Sequence, residues 1–507
     1  MSESRTRWWA LGALAIAMLT IGLDTTVLNV AVPTLANDLH ASTDQLQWFS
    51  TAYTLVLAGM LLPAGMLGDR FGRKRLLVAA LVLFGAASAA CAYADSADQL
   101  IAARAVLGLG AALMMPLSMA VLPVLFPDRQ ERARALTIWV TSTAIGLPLG
   151  PIVGGWLLDT FWWGSVFLIN VPLVVIGVIA VSALVPESRS STPRPLDLVG
   201  VVLSSAGLLG LTYGCIAAGQ DGWTDSGTLG SMLGGVALLV AFVAWQRRIA
   251  HPLIDLALFR DRGFTWGTAL STVVNFALFG LIFAMPQFFQ AVQGTDALGS
   301  GLRLLPVIGG MLVGTRLADR AVARIGAAGV IAIGFALLAG GLGAGATTGV
   351  HTSFGVTAIW FTLLGAGLGL AMPTAMSAAV GTLSAERSGA GSALIQALRQ
   401  VGGTIGVAVL GTVLSSGYHA RLDTGDLPSA TAGAVRESVS AGAATAEKLG
   451  LRPLLDSVRA AFVHGMDVML AASAGLALLG VVLAVLLLPR RAPRVEPEAE
   501  SLHELVS

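Results

Sequence analysis

The stretch Leu23-Asp24-Thr25-Thr26-Val27-Leu28-Asn29-Val30-Ala31-Val32-Pro33 decides how this chain is read. Between Trp8 and Pro33, Asp24 is the single ionisable side chain. A run of that length suffices to cross a bilayer, which takes a helix of about 20 residues. One Asp near the middle of such a helix costs roughly 2.5–3.5 kcal/mol on insertion scales, so its presence needs a reason. Every other Asp or Glu falls in an expected loop, in a tail or close to a helix end. A deep carboxylate can discharge its cost by taking up a proton. The plainer alternative is a structural Asp paired to a neighbouring helix. Of the two, proton exchange is the favoured reading.

The rest of the chain sets the same membrane context. Of its 507 residues, 55% are hydrophobic and 12% charged, at a mean hydropathy of +0.79. Soluble domains carry about 25% charged residues, so this chain lacks a water-facing shell and reads as an all-α polytopic membrane protein. A net charge of +1 gives no electrostatic reason to expect nucleic acid as a partner. Cys91 and Cys215 fall in apolar spans, which argues against a disulfide framework. The apolar run after Arg5 and Arg7 is too long for a cleavable signal peptide and is followed at once by further spans.

Fourteen helices are expected, near 10–32, 47–67, 76–94, 99–122, 137–157, 163–185, 197–218, 229–245, 265–289, 303–321, 326–344, 354–377, 393–415 and 467–488. Non-helical backbone cannot face lipid, which leaves few other assignments. The basic residues orient them. With a cytoplasmic N-terminus, the inner segments collect Arg70, Arg73, Lys74 and Arg75, then Arg129, Arg132 and Arg134, then Arg247, Arg248, Arg260 and Arg262. The short outer loops hold only Arg303, so both termini are expected on the cytoplasmic side of the cell membrane. The segment 416–466 is a long outer loop, with a short surface helix expected over Leu454–Val463. Residues 491–507 form a cytoplasmic tail, whose Glu-rich part Pro493–Ser507 reads as disordered.

A weak repeat is present. Gly65-Met66-Leu67-Gly68-Asp69-Arg70-Phe71-Gly72-Arg73 follows the second helix, and a degraded echo, Leu317-Ala318-Asp319-Arg320 with Arg324, follows the tenth. If these loops correspond, residues 1–190 and 263–490 are two parallel six-helix bundles, and 191–262 holds an inserted pair of helices with linkers. In the echo Val322 replaces the expected glycine.

Four motifs carry a family resemblance. Gly65-x-x-x-Asp69-Arg70-x-Gly72-Arg73-Lys74-Arg75 resembles the loop signature of the major facilitator superfamily. Ile101-Ala-Ala-Arg104-Ala-Val-Leu-Gly108-Leu-Gly110 resembles its fourth-helix motif. Gly146-Leu-Pro-Leu-Gly150-Pro151-Ile-Val-Gly154-Gly155 resembles the fifth-helix motif of its drug/proton antiporters, and the stretch around Asp24 and Asn29 is similar to the first-helix motif of the fourteen-helix exporters. The resemblance implies the major facilitator fold, two six-helix bundles plus two extra linking helices. It also implies a proton-coupled antiporter exporting amphipathic drugs or antibiotics, working as a monomer in the lipid bilayer. Its energy source would be the proton gradient, with no further cofactor. A proton-coupled importer of a metabolite on the same fold and a non-transporting receptor remain as rivals.

The residues give these roles a physical basis. A guanidinium at Arg104 close to Asp24 would favour the carboxylate, and its withdrawal would favour proton uptake. Asp69 and Arg70, with Gly65, Gly72 and Arg73, are expected to form a latch that holds one conformation and breaks in another. Gly146, Gly150 and Gly154 recur every four residues, so one bare helix face can take a partner helix at close range, and Pro151 with Gly155 follows in the same motif. Asn29, Gln290, Gln396 and Arg399 are candidates for the substrate cavity, with packing an equal alternative for Arg399. Met285, Phe288 and Phe289, with Phe276 and Phe279, are weaker candidates for its apolar wall. No phosphate-binding loop of the form GxxxxGK[ST] occurs, and the six histidines lie in expected loops, tail or outer edges. Neither an enzyme nor a metal site is therefore expected.

Overall fold

The computed structural model describes residues 3–488 except 40, 42, 190–196, 221, 251, 384–387 and 425–426. The expected tail over 491–507 lies outside them. Among the described residues every regular element is a helix.

The chain opens with α1 (Glu3–Asp38), α2 (Thr43–Phe71), α3 (Arg73–Ala92), α4 (Ala97–Leu125) and α5 (Arg129–Thr160). A short α6 (Ser165–Leu168) and α7 (Asn170–Leu184) together make the sixth crossing. The inserted pair is α8 (Leu198–Gln220) and α9 (Ser226–Gln246). Then come α10 (Arg262–Gln287), a short α11 (Ala297–Leu302), α12 (Leu305–Gly345), α13 (Phe354–Val380) and α14 (Ser388–Arg421). The chain closes with α15 (Ser429–Glu437), α16 (Val439–Leu449) and α17 (Arg452–Leu487).

Twelve of these segments are long and apolar enough to cross a membrane, and thirteen if α5, bent by 43° between its two arms, counts as one. The expected fourteen depends on α12. Its 41 residues are twice what one crossing needs, and its backbone breaks at Gly326, where φ is 76°. Each side of that break is the length of a crossing.

That break also corrects the reading of the repeat. The first loop turns at Gly72, φ 105°, three residues after Asp69. Its counterpart turns at Gly326, seven residues after Asp319, so the helix runs one further turn before a glycine supplies the left-handed conformation. The missing glycine at Val322 is thus displaced rather than lost. A second correction concerns the segment 416–466. The short helix expected over Leu454–Val463 is continuous with the last span, and α17 runs unbroken for 36 residues. Two further helices, α15 and α16, occupy what remains of the expected loop.

Within the first bundle α1 packs on α5 and α7, α2 on α4, and α3 on α4 and α7. Within the second, α12 packs on α13 and α17, and α10 on α13 and α14. The inserted α8 lies against both α2 and α14, so it touches both bundles. Asp197 accepts from Gly200 N at the start of α8 and from Trp245 Nε1 and Gln246 Nε2 of α9, at 2.8, 2.9 and 2.6 Å. One carboxylate thereby caps one inserted helix and ties it to the other.

Candidate functional site: a buried ion pair beside a central cavity

Asp24 is fully buried, and among the described residues the side-chain donors to its carboxylate come from other helices. Its Oδ2 accepts from Arg104 Nη1 of α4 at 2.8 Å, and its Oδ1 accepts from Asn170 Nδ2 of α7 at 3.1 Å. Arg104 is held on three sides. Its Nε donates to Phe49 O of α2 at 3.0 Å, and the guanidinium sits 4.5 Å from the centre of the Tyr53 ring. Asn170 also donates to Ser88 Oγ of α3 at 3.0 Å, and Ser88 donates to Phe167 O at 2.9 Å. Five helices thus converge on one carboxylate. The expected pairing of Asp24 with Arg104 is present; Asn170, Ser88 and Tyr53 were not foreseen. Asn170 had a sequence cue, an amide inside the otherwise apolar run Val166–Val181.

The glycine strip explains why α1 can lie where it does. A Cβ on Gly146 would fall 2.6 Å from Leu19 O, and one on Gly150 would fall 2.0 Å from Thr26 Oγ1. At Gly154 it would meet Val27 Cγ2 at 2.9 Å. All three therefore face α1, and Gly22 of α1 is bare at the same contact. Thr26 Oγ1 donates to Leu147 O at 2.7 Å, a bond that fixes α1 to the bend of α5. The other edge of α5 meets the second bundle, with a Cβ on Gly301 landing 3.1 Å from Ile152 N and one on Gly155 at 3.5 Å from Leu298 N.

A cavity of about 930 Å³ opens between the bundles, within the range of small-molecule sites. It is one side chain away from the ion pair: Thr25, Thr26 and Tyr53 line it, and Tyr53 carries Arg104 on its ring. Pro151, Gln290, Gln396 and Arg399 line it as well. Phe279 is on its wall, whereas Met285, Phe288 and Phe289 are packed away at zero exposure. The Asn29 side chain, also expected at the cavity, lies outside the described residues. The inserted pair contributes Cys215 and Ile216, and the segment after α14 contributes Ser438 and Val439.

The end of the molecule that carries the Gly65–Arg75 loop is shut. Asp69 Oδ1 accepts from Arg73 Nε and Nη2 at 3.0 and 2.7 Å, and Asp69 Oδ2 accepts from Ala390 N at the start of α14, at 3.3 Å. A Cβ on Gly65 would fall 2.5 Å from Gly389 O, so only glycine fits the closed seam. The partner of Asp69 is Arg73, one helical turn on. Arg70, also a member of the expected latch, is exposed in this conformation, its guanidinium 5.7 Å from the Phe71 ring centre. Gly72 is kept bare by Glu187, whose Oε1 would lie 2.7 Å from a Cβ there; that carboxylate accepts from Lys74 N and Arg75 N at 3.1 and 3.2 Å and caps α3. In the echo loop Asp319 reaches Arg134 of α5 at 3.5 Å, a half-exposed pair worth about 0–1 kcal/mol.

Comparison with known proteins agrees with this architecture. Residues 14–407 match the model of the Major Facilitator Superfamily. The chain is 34% identical to the multidrug efflux pump LfrA of Mycolicibacterium smegmatis over 465 residues, covering 90% of this chain and 92% of that one. It is 32% identical to the tetracenomycin C resistance and export protein of Streptomyces glaucescens over 511 residues, covering 98% and 94%. Among solved structures, the human organic anion transporter MFSD10 superposes with a TM-score of 0.61 at 14% identity, covering 96% of this chain and all of that one. The proton:xylose symporter XylE superposes equally well, at 15% identity over 95% of each chain. The chain belongs to the Major Facilitator Superfamily, a family of membrane transporters, and is itself a multi-pass helical membrane protein.

Proposed function

We propose that the protein is a proton-coupled antiporter that exports amphipathic drugs or antibiotics across the cytoplasmic membrane. The observation that carries this reading is a fully buried Asp24–Arg104 pair beside a mostly apolar cavity, with the Tyr53 ring in contact with both. Proton uptake at Asp24 removes the counter-charge of Arg104, whose remaining contacts are Phe49 O and the Tyr53 ring. A guanidinium left so in a low-dielectric interior must move or find another anion. Either response displaces Tyr53 from the cavity wall, so protonation and cavity shape are mechanically joined. The 32–34% identity to named efflux and export proteins supports outward transport of organic compounds.

In this reading the shut, arginine-rich end is cytoplasmic, as the distribution of basic residues favours, and both termini lie there. The Asp69–Ala390 contact joins the two bundles at that end and must break for the cavity to open inward. Asp69→Asn is therefore expected to slow transport strongly while equilibrium substrate binding changes less than about threefold; equal loss of both would place this loop at the substrate site.

The export reading is tested in everted vesicles with an acid lumen. Addition of a substrate drug is expected to release protons from the lumen as the drug accumulates. Drug accumulation that is blind to the proton gradient would exclude antiport, and drug movement in the reverse sense would favour an importer on the same fold. A susceptibility panel on cells with and without the chain identifies which drugs to use.

A further inference from the structure

The cavity lining is unbalanced in charge. Among its described residues Arg399 is the one charged side chain, and it has no carboxylate within ion-pair distance there. Its Nη1 donates to Gln396 Oε1 at 2.6 Å and approaches Met376 Sδ at 3.3 Å, and its Nη2 reaches Asn275 Oδ1 at 3.5 Å. All three partners are neutral. Two donors at this turn of α14 are left over: Arg399 Nε and Gln396 Nε2 are buried without an acceptor among the described residues. Gln396 itself is only 3% exposed. The turn is also tied to α10. Asn275 Nδ2 donates to Arg399 O at 2.9 Å, and a Cβ on Gly403, one turn further along, would lie 3.0 Å from the same Nδ2.

A half-buried guanidinium without a counter-ion carries a desolvation cost that an anion can offset, and its planar fork favours a bidentate oxyanion. Both spare donors ask for the same thing, an oxygen acceptor with negative charge. We infer that Arg399 and Gln396 form the polar end of the substrate site, and that the preferred substrates are amphipathic organic anions. They would carry a carboxylate, sulfonate or acidic phenol at one end of an apolar body. The charged end lies on α14, and the apolar body lies along Leu278, Phe279, Ile282 and Met372. A lipophilic cation meets the opposite situation, a positive charge in the cavity and no described lining carboxylate to balance its own. This assignment rests on the reading of the cavity as a substrate site, but it does not require proton coupling.

The test is equilibrium binding to the purified full chain in lipid nanodiscs, with empty nanodiscs as the blank. Two probes share one aromatic frame: 1-anilinonaphthalene-8-sulfonate carries an anion, and N-phenyl-1-naphthylamine lacks it. Ethidium serves as a cation. The wild type is expected to bind the sulfonate roughly 10- to 100-fold more tightly than the neutral amine. Arg399→Gln is expected to erase that preference by weakening the sulfonate, and a thermal-unfolding midpoint close to that of the wild type shows that the variant is folded. Arg399→Lys keeps the charge without the fork and is expected to retain part of the preference. Equal affinity of both naphthalene probes for the wild type, a preference for ethidium, or an unchanged preference in Arg399→Gln would each overturn the inference. Because no gradient is applied, these outcomes are separable from failure of the antiport reading, which leaves binding intact and abolishes drug-evoked proton release.

Discussion

The two bundles each hold an arginine well inside a helix, and they treat it in opposite ways. In the first, Arg104 faces Asp24 at 2.8 Å, with Asn170, Phe49 O and Tyr53 completing the shell. In the second, Arg399 meets only an amide oxygen of Gln396, a distant one of Asn275 and a thioether. The first is closed to the cavity by Tyr53, and the second opens on it. A paired charge is self-sufficient until a proton arrives, whereas an unpaired one stays in deficit until a ligand arrives. In the proposed reading, energy coupling belongs to the first bundle and recognition of the substrate's charged end to the second.

The sharpest way to break this comparison is to delete each guanidinium and read stability. Arg104→Gln strands Asp24 in the interior, and removing one partner of a buried pair costs about 3–5 kcal/mol. A clearly lower midpoint of thermal unfolding is expected. Asn170→Ala removes a neutral donor from the same carboxylate and leaves Ser88 with one bond fewer, at about 1–3 kcal/mol. Its midpoint should fall between that of Arg104→Gln and the wild type. Arg399→Gln strands no opposite charge, so its cost is expected to stay within about 1 kcal/mol of zero and can be a gain. Equal destabilisation by Arg104→Gln and Arg399→Gln would mean that Arg399 also has a partner and would dissolve the contrast.

The first bundle was far more legible in the sequence than the second, for a physical reason. Asp24 and Arg104 are isolated charges in long apolar runs, where cost alone marks them, and the spacing of Gly146, Gly150 and Gly154 states its own geometry. The partner of that strip, α1, was not stated, because close approach names no neighbour. The latch was half legible: Asp69 and its loop are specific, but whether Arg70 or Arg73 pairs with it depends on how Gly72 turns the chain. Arg399 could be read either as packing or as a ligand, since nothing in its neighbourhood along the chain shows whether a carboxylate approaches from another helix. The division of α12 was expected, but its turn at Gly326 lies one helical turn beyond the register of Val322, where the first loop places its glycine. The fusion of the expected surface helix with the last span was missed because the Ala/Gly/Ser-rich composition around it reads as loop.

The most direct test of the account is proton movement in everted vesicles carrying Asp24→Asn. Asn is nearly isosteric and can keep a bond to Arg104, but it cannot bind and release a proton. The variant is expected to insert and to bind substrate, and Asp24→Glu to retain partial activity. With an acid lumen, drug-evoked proton release should be present in the wild type and absent in Asp24→Asn, while downhill drug exchange persists. Undiminished proton release from Asp24→Asn would contradict the account, leaving Asp24 a structural residue and the coupling proton on another path.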